Sequence, residues 1–188
     1  MSQLLIGLAG HARVGKDTVA HHLANHLQLI SYAFAEPLKQ ALANMFHLTN
    51  SQLEGSEKEQ PLTWLNKSPR ELMQLLGTEW GRDLIHPQIW LLLAEQNLQL
   101  RAEIDQNMKG VVIRDVRFDN EADWVRSKGG VIFHISRHGI RPANQHTSES
   151  GVRHYTGDYV IENNGTLDEL YDQVDRAAAH LMRHKNAA

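Results

Sequence analysis

The pattern of apolar and polar positions predicts that strands and helices alternate along this chain. The apolar run at 4–9 predicts a first strand, and Val19, Leu23 and Leu27 then recur at helical spacing. Further apolar runs predict strands at 29–34, 111–113, 131–135 and 159–161. Helical spacing also predicts helices from Glu36 to Phe46, from Pro69 to Leu76, at 89–100, at 120–128, and from Leu167 onward. This alternation predicts an α/β fold with a mainly parallel sheet.

Two helix starts are marked by capping-box patterns, in which a hydroxyl residue precedes a glutamate by three positions. These are Ser68 with Glu71 and Thr166 with Glu169. The polar segment between Thr49 and Pro61 has no such regular pattern, and we expect it to be irregular. The mixed segment 77–83 is expected to interrupt or end the helix before it.

The helix that begins at Pro69 has two predicted faces. Leu72, Leu75 and Leu76 are expected to face a core, and Arg70, Gln74 and Thr78, spaced by four, are expected to share another face. A guanidinium one helical turn from an amide is a good arrangement for binding a phosphate together with the base or sugar attached to it. Spacing alone favours the alternative, an ordinary solvated face.

Composition narrows the class of protein. The 188 residues are most simply one domain, and the net charge of -3 offers no broad basic surface for a nucleic acid. No apolar run approaches the roughly 20 residues that a membrane span needs. The chain has no cysteine, which excludes disulfides, thiolate zinc sites and cysteine nucleophiles. We therefore expect a cytoplasmic protein with no nucleic-acid or membrane partner.

The segment from Gly10 to Thr18 has the context of a phosphate-binding loop, between the first strand and the first helix. Its glycines let successive N–H groups point at one anion, and Lys16 adds a mobile positive charge. The usual pattern places Ser or Thr directly after the lysine. Here Asp17 follows Lys16 and the hydroxyl comes at Thr18, a delay that is common among small nucleoside monophosphate kinases.

Charged residues follow two of the predicted strands. In an open α/β sheet, ligands bind beyond the carboxyl ends of the strands, so Asp115 and Arg117 are expected beside the phosphate loop. Asp115 is a candidate to position magnesium through water, and Arg117 to contact the transferring phosphate. Arg137 and Arg141 open a polar segment that resembles a lid excluding water. The alternatives are a surface Asp–Arg pair and a plain surface loop.

Several motifs in order resemble the bacteriophage-type deoxynucleoside monophosphate kinases, within the P-loop nucleoside monophosphate kinase fold. The motifs are Gly15-Lys16-Asp17-Thr18, Phe34-Ala35-Glu36-Pro37-Leu38-Lys39, Pro69-Arg70-Glu71-Leu72-Met73-Gln74 with Gly77-Thr78-Glu79-Trp80-Gly81-Arg82, Asp115-Val116-Arg117-Phe118 with Asn120-Glu121-Ala122, His146 with Ser148-Glu149, and Asn163 with Gly165. The nearest rival family is the animal-type phosphomevalonate kinases. A non-catalytic nucleotide-dependent switch is a third reading, but the chain lacks a guanine-reading Asn-Lys-x-Asp segment.

The resemblance implies a three-layer α/β/α domain with a core at about 1–35 and 105–188. A helical, monophosphate-binding insertion would occupy about 36–104, and a lid about 137–152. It implies transfer of the ATP γ-phosphoryl group to the 5′-phosphate of a deoxynucleotide, assisted by Mg²⁺. Related enzymes are often dimers, so a homodimer is an open expectation.

The resemblance also implies a role for each motif residue. The donor site would comprise Gly10, Ala12, Arg13, Val14, Gly15, Lys16, Asp17, Thr18, Asn163 and Gly165. The metal would lie near Asp17, Thr18 and Asp115. The acceptor site would comprise Phe34, Lys39, Arg70, Gln74, Thr78, Trp80 and Arg82. The catalytic group would comprise Lys16, Asp115, Arg117, Arg137 and Arg141.

Overall fold

The computed structural model describes residues 4–140 and 151–186, and the chain groups into two compact units. One unit is formed by the residues up to Ala33 together with those from Arg101 onward, and the other by Phe34–Leu100. The insertion expected at about 36–104 and the lid expected at about 137–152 stay predictions. None of the helices in the described residues has the length and apolar character needed to cross a membrane.

In the described part of the first unit, five parallel strands form one sheet in the order β2-β3-β1-β4-β5. The strands are β1 (Leu4–Ala9), β2 (Ile30–Tyr32), β3 (Gly110–Val116), β4 (Val131–Ser136) and β5 (Tyr159–Glu162). Each lies at a predicted apolar run. β3 is longer than the apolar run at 111–113 predicted. Its pairing with β1 resumes after an irregularity and joins Ala9 to Val116. Arg114 and Asp115 therefore lie inside the strand.

Helices cover both faces of this sheet. On one face, α1 (Lys16–Leu27) and α7 (Leu167–Asn186) contact each other and share a core cluster with the strands. On the other face, α6 (Asp119–Ser127) contacts β1 and β4, and its Val125 lies beside Gly7, where a Cβ would be 3.4 Å from the valine and 2.7 Å from Ile132 of β4. The expected three-layer α/β/α arrangement with a parallel sheet is confirmed.

The remaining helices of the described chain are α2 (Glu36–Phe46), α3 (Asn50–Leu53), a 3-10 helix (Ser56–Glu59), α4 (Pro69–Gln74), a π-helix (Leu75–Ile85) and α5 (Ile89–Ile104). α2, α4 and α5 begin where the sequence predicted a helix, whereas α3, the 3-10 helix and the π-helix were not predicted. Both predicted capping boxes form. The Ser68 hydroxyl accepts a hydrogen bond from the Glu71 N–H at 3.2 Å, and the Glu71 carboxylate accepts one from the Ser68 N–H at 2.8 Å. Thr166 and Glu169 make the same exchange at 3.3 and 2.7 Å.

The prediction of an irregular segment between Thr49 and Pro61 is wrong. Thr49 and Gln52 form a third capping box that starts α3, in which glutamine takes the place of the usual glutamate. Leu53 is buried at the end of this helix, and the 3-10 helix begins at Ser56 after two intervening residues. The segment is therefore ordered by local hydrogen bonds that a count of charges does not reveal.

Arg70 and Gln74 lie one turn apart in α4, as their spacing predicts. The α-helix ends at Gln74, and the chain continues as a π-helix, whose hydrogen bonds join residues five apart. That Thr78 shares the face of Arg70 and Gln74 stays a prediction. Leu72 is buried as expected, but Leu75, also expected in a core, is 42% exposed.

Candidate functional site

The phosphate-binding loop lies between β1 and α1, as predicted, and two glycines fix its shape. Gly10 has φ 142° and Gly15 has φ 105°, conformations that side chains disfavour. A Cβ at Gly10 would also collide with the backbone carbonyl oxygen of Ile135 in β4. Gly15 precedes the first residue of α1, so that helix begins without a side-chain cap. The positive end of α1 thus faces the loop, which favours a bound anion.

Lys16 lies over this loop. Its Nζ atom donates hydrogen bonds to the carbonyl oxygens of Gly10 at 2.6 Å and His11 at 2.7 Å, and the residue is 9% exposed. Arg13 lies at the loop's tip with φ 68°, a strained value for a residue with a side chain. A buried ammonium group beside strained backbone is typical of a ligand site rather than of an ordinary turn.

Asn163, the first residue after β5, holds the loop from the side. Its side-chain Nδ2 donates to the Val14 carbonyl oxygen at 2.9 Å, and its backbone N–H donates to the Ser136 carbonyl oxygen at 2.8 Å. A Cβ at Gly15 would lie 2.5 Å from the same Nδ2 atom. In the described structure Asn163 therefore contacts the loop backbone. Gly165 leaves space for the carboxylate of Glu169, which caps α7.

The candidate metal residues occupy two neighbouring elements. Asp17 is the second residue of α1 and has a side chain that is 90% exposed, and its Oδ1 lies 3.9 Å from Nη1 of Arg114 in β3. Thr18 follows it and is partly buried, as is Asp115 in β3. Among the described residues, no three His, Cys, Asp or Glu side chains group as a metal cage.

Arg117 follows β3 directly, and a glutamate fixes its backbone. The Glu121 carboxylate accepts hydrogen bonds from the N–H groups of Arg117 at 2.7 Å and Phe118 at 3.1 Å. Glu121 is only 2% exposed. The sequence analysis placed Glu121 in a motif but assigned no role to it. Glu121 is three residues after Phe118, the residue before α6, and a glutamate at that position commonly accepts a hydrogen bond from the backbone at the start of a helix.

Arg137 follows β4 and is exposed, at the start of the segment predicted to be a lid. The next residue, His138, donates its backbone N–H to Asn164 Oδ1 at 2.8 Å. Arg141 lies outside the described residues, as do His146, Ser148 and Glu149. Their predicted roles stay predictions.

A charged network centres on Asp158 and joins it to Arg126 of α6 and His134 of β4. Asp158, whose side chain is 3% exposed, accepts hydrogen bonds from Arg126 at 2.7 Å and from the Tyr155 N–H at 2.9 Å. Its Oδ2 also lies 3.0 Å from Nε2 of His134 in β4. Burial opposes ionisation of Asp158, but the hydrogen bonds from Arg126, Tyr155 and His134 outweigh it and lower the pKa of this carboxyl. Burial lowers the pKa of His134, against the opposing effect of Asp158.

In the second unit, carboxylates hold two of the predicted acceptor-site cations. Arg70 Nε donates to Glu59 Oε1 at 2.5 Å, and the Arg70 side chain is 13% exposed. Lys39 Nζ donates to both carboxylate oxygens of Glu54, at 2.8 and 2.9 Å. Both carboxylates come from the segment that the sequence predicted to be irregular.

Gln74 lies one turn beyond Arg70 in α4. Its Nε2 atom is buried and has no hydrogen-bond partner among the described residues. A buried amide donor without a partner costs about 1–3 kcal/mol, so its retention favours a ligand that accepts this hydrogen bond. The burial of this atom argues against the alternative that Gln74 lies on an ordinary solvated face of the helix.

The other predicted acceptor residues lie in or near the π-helix, except Phe34, which is buried before α2. Thr78 is partly buried, Trp80 is 48% exposed, and Arg82 Nη1 donates to the Pro87 carbonyl at 3.5 Å. Gly81 packs against the ring of Trp90, where a Cβ would lie 2.7 Å from the indole. Trp90 in turn donates to the Gly77 carbonyl at 2.7 Å.

Known proteins that resemble this chain in sequence or in fold include several kinases. A relative from Acanthamoeba polyphaga mimivirus is 36% identical over 182 residues, which cover 91% of this chain and 94% of the relative. The deoxynucleotide monophosphate kinase of Escherichia phage RB69 is 26% identical, with 92% of this chain and 98% of the relative covered. Among solved structures, a gluconokinase from Sinorhizobium meliloti 1021 matches with a TM-score of 0.52 at 13% identity, covering 98% of this chain and 96% of that one. At that identity the likeness shows the fold alone.

The sequence model of one family, deoxynucleotide monophosphate kinase, matches residues 4–64 and 57–174. The matched ranges include the phosphate-binding loop, the Arg70–Gln74 turn, and the Asp115–Arg117 strand end. The chain belongs to the deoxynucleotide monophosphate kinase family.

Proposed function

We propose that this protein transfers the γ-phosphoryl group of ATP to the 5′-phosphate of a deoxynucleoside monophosphate, giving the diphosphate. The observation that carries the proposal is the phosphate-binding loop with the buried Lys16 at its centre, in a chain of this family. Phosphoryl transfer requires little covalent chemistry from the protein. It must align two phosphates, neutralise the charge between them and exclude water.

On the donor side, the loop residues fit the phosphates of ATP. The conformations of Gly10 and Gly15 aim backbone N–H groups into the loop, and the uncapped start of α1 adds its positive end. Lys16 would exchange its bonds to the loop carbonyls for bonds to phosphate oxygens. Asn163 would keep the loop in the required shape through Val14.

Magnesium fits the same residues. Mg²⁺ at a phosphate site is usually held by one or two protein oxygens together with water and phosphate, so it needs no cage of three acids. Asp17, Thr18 and Asp115 would supply those oxygens, directly or through water. The ion would neutralise phosphate charge, and the chain's own cations would complete that neutralisation.

On the acceptor side, Arg70 would bind the monophosphate and Gln74 would donate its buried N–H to the base or sugar. Lys39 and Arg82 would add positive charge, and Phe34, Thr78 and Trp80 would shape the site. Arg117, Arg137 and Arg141 would bind oxygens of the transferring group. The expectations of a homodimer, of a cytoplasmic location and of no nucleic-acid partner stay predictions from the sequence.

The test is an assay of ADP release, coupled to a reporter enzyme, with ATP, Mg²⁺ and one acceptor at a time. The acceptors are dAMP, dGMP, dCMP, dTMP and phosphomevalonate. Turnover of at least one deoxynucleotide is expected. Turnover of phosphomevalonate alone would assign the protein to the rival function, and slow hydrolysis independent of acceptor would indicate a nucleotide switch.

The acceptor assignment is tested with Arg70→Ala. We expect the KM for the monophosphate to rise by about tenfold to a hundredfold, with the KM for ATP changing less than about threefold, because the proposal assigns Arg70 to the acceptor phosphate and not to ATP. Lys67→Ala is the matched control, since it removes a surface cation that pairs with Glu71 at 3.7 Å beside the same helix start. A rise in the KM for ATP alone would contradict the assignment.

A further inference from the structure

Two histidines near the end of α7 approach each other through one nitrogen of each ring. His180 and His184 are four residues apart, so they lie on the same face of the helix. Their Nε2 atoms are 3.1 Å apart, whereas the centroids of the two rings are 4.3 Å apart. The rings therefore converge on their Nε2 edges. Both residues are exposed to solvent, where an ion has access to them.

This separation suits two ligands of one transition-metal ion. Zn–N bonds are about 2.0–2.1 Å long, so two imidazole nitrogens at a tetrahedral angle lie roughly 3.3–3.4 Å apart. For the two nitrogens to bond to each other without an ion, one ring must carry a proton at Nε2 and the other must not. A metal ion removes that requirement, because both lone pairs then point at the ion. Two histidines four residues apart on a helix also recur in zinc sites.

Tyr159, the first residue of β5, orients His180. Its hydroxyl oxygen lies 2.7 Å from Nδ1 of His180, and its ring packs edge-on against Phe133 with 5.1 Å between the centroids. Phe133 is fully buried in β4, so the tyrosine is anchored to the core. Burial raises the pKa of the Tyr159 hydroxyl, which keeps it neutral and able to accept a hydrogen bond from Nδ1–H. That tautomer leaves the Nε2 lone pair of His180 for a metal, and a bond of this kind from the second ring nitrogen is usual in metal-binding histidines.

Neighbouring charges act on a bound cation in opposite directions. Arg176 lies one turn before His180 and Arg183 lies next to His184, and both repel a positive ion. Both arginines are exposed, so solvent and salt screen that repulsion. The negative end of α7, in contrast, favours a cation near its last turn, where His184 lies.

A second histidine pair with the same spacing provides a contrast. His22 and His26 lie four residues apart on α1, but their rings are nearly parallel, at 8°, and the centroids are 5.5 Å apart. Nε2 of His22 lies 2.8 Å from Oδ1 of Asp175 and is thus already bound. Spacing alone therefore does not make a chelating pair in this chain. The convergence of the Nε2 atoms distinguishes the pair on α7.

We propose that His180 and His184 bind one divalent first-row transition-metal ion, such as Zn²⁺, through their Nε2 atoms, and that Tyr159 orients His180 for it. Imidazole nitrogen suits this class of ion, whereas Mg²⁺ prefers oxygen ligands. Water completes the coordination, since no group of three His, Cys, Asp or Glu side chains in the described residues is arranged as a metal site.

This site is independent of the proposed phosphoryl transfer. Tyr159 begins β5 and so lies at the amino-terminal edge of the parallel sheet, whereas the phosphate-binding loop follows the carboxyl end of β1. None of the three residues is assigned to the donor or acceptor site. Zn²⁺ binding is measured without nucleotide, so its failure would leave the proposed function standing, and failure of the kinase assay would leave this inference standing.

The experiment is a calorimetric titration of the full chain with Zn²⁺, with excess Mg²⁺ present to occupy oxygen-ligand sites. The nitrogen NMR signals of the histidine rings are followed in parallel, and we expect the first Zn²⁺ equivalent to shift the Nε2 signals of His180 and His184. His180→Gln and His184→Gln are each expected to weaken binding by about tenfold or more, and Tyr159→Phe by about tenfold. Circular dichroism verifies that each variant is folded.

His26→Gln is the matched control, since it removes one histidine of the parallel pair on α1 and is expected to change the affinity by less than about twofold. Unchanged affinity in His180→Gln or His184→Gln would overturn the site. An equal loss in His26→Gln, or Nε2 shifts spread evenly over the other histidines, would also overturn it and would indicate adventitious binding only. Unchanged affinity in Tyr159→Phe would overturn the orienting role of the hydroxyl.

Discussion

The side-chain amide of Asn163 donates a hydrogen bond to the backbone carbonyl of Val14 at 2.9 Å and so joins the end of β5 to the phosphate-binding loop. The two residues are 149 positions apart in the chain. A loop whose strained backbone must hold several N–H groups in one orientation gains from an anchor of this kind.

Replacement of Asn163 by alanine is therefore expected to weaken donor binding. Loss of one such hydrogen bond costs about 0.5–1.5 kcal/mol, or about twofold to tenfold in the KM for ATP. The KM for the acceptor should stay within about twofold. Steady-state kinetics with each substrate varied in turn measure both values, and Asn164→Ala is the control, since its side chain instead accepts from the His138 N–H. An equal rise in both KM values would argue against a specific effect on the loop.

Gly10 is expected to tolerate no side chain. Gly10→Ala combines a positive φ with a collision against the Ile135 carbonyl, which cannot move without disturbing β4. Gly139 is a suitable comparison, because it has φ 76° but open space around its Cβ position. We expect Gly139→Ala to lower the free energy of unfolding by about 1–2 kcal/mol from backbone strain alone, and Gly10→Ala to lower it by more. Urea unfolding of the two variants measures the difference, and equal losses would contradict the steric argument.

Asp158 is expected to make stability depend on pH. Its pKa is lowered in the folded state, so its contribution is complete above the unfolded pKa of about 3.9 and is lost as the pH falls through the lower, folded value. Asp158→Asn should cost about 2 kcal/mol at pH 7, less than the roughly 3–5 kcal/mol of a fully broken buried pair, because Arg126 also contacts Asp123 at 2.9 Å.

The measurement for Asp158 is urea unfolding between pH 7 and pH 3. The difference between native protein and Asp158→Asn should shrink as the pH falls below about 4. Asp123→Asn is the control, since that carboxylate is 61% exposed and its pair should contribute less than about 1 kcal/mol. A difference that stays constant with pH would show that the charge of Asp158 is not what stabilises the fold.

Glu121 is expected to affect turnover through the backbone of Arg117. Glu121→Ala leaves the N–H groups of Arg117 and Phe118 without their acceptor, so the arginine is no longer held for the transferring phosphate. We expect kcat to fall by about tenfold to a hundredfold with smaller changes in either KM, and Glu121→Gln to recover part of the loss. Thermal unfolding of both variants separates this effect from loss of the fold, and a fall in stability with unchanged kcat would contradict it.

Sequence patterns located every strand of the described sheet because buried parallel strands are short runs of β-branched and other apolar residues, such as Val111–Ile113. They located the helix starts at Ser68 and Thr166 because each of these residues exchanges hydrogen bonds with a glutamate only three positions away. Both signals are local. The length of β3 was underestimated because Asp115 is polar and its place in the strand depends on pairing with β1.

What the sequence did not reveal depends on contacts between distant positions or on unusual backbone. The change from α- to π-helical bonding at Leu75 has no local signature, and the sequence predicted only that the segment 77–83 would interrupt or end the helix. The contact of Asn163 with Val14 requires β5 to lie at the sheet edge next to β4. The contact of Glu59 with Arg70 was hidden because the segment of Glu59 carries several charges, and the sequence does not show which of them lies beside Arg70.

The core cluster under α1 and α7 draws its members from residues up to Leu29 and from Val112 onward. None of the described members of that cluster lies within Phe34–Leu100. If the acceptor is bound by that stretch, as we propose, a lineage under selection for a new base would change its specificity by substitutions outside this cluster.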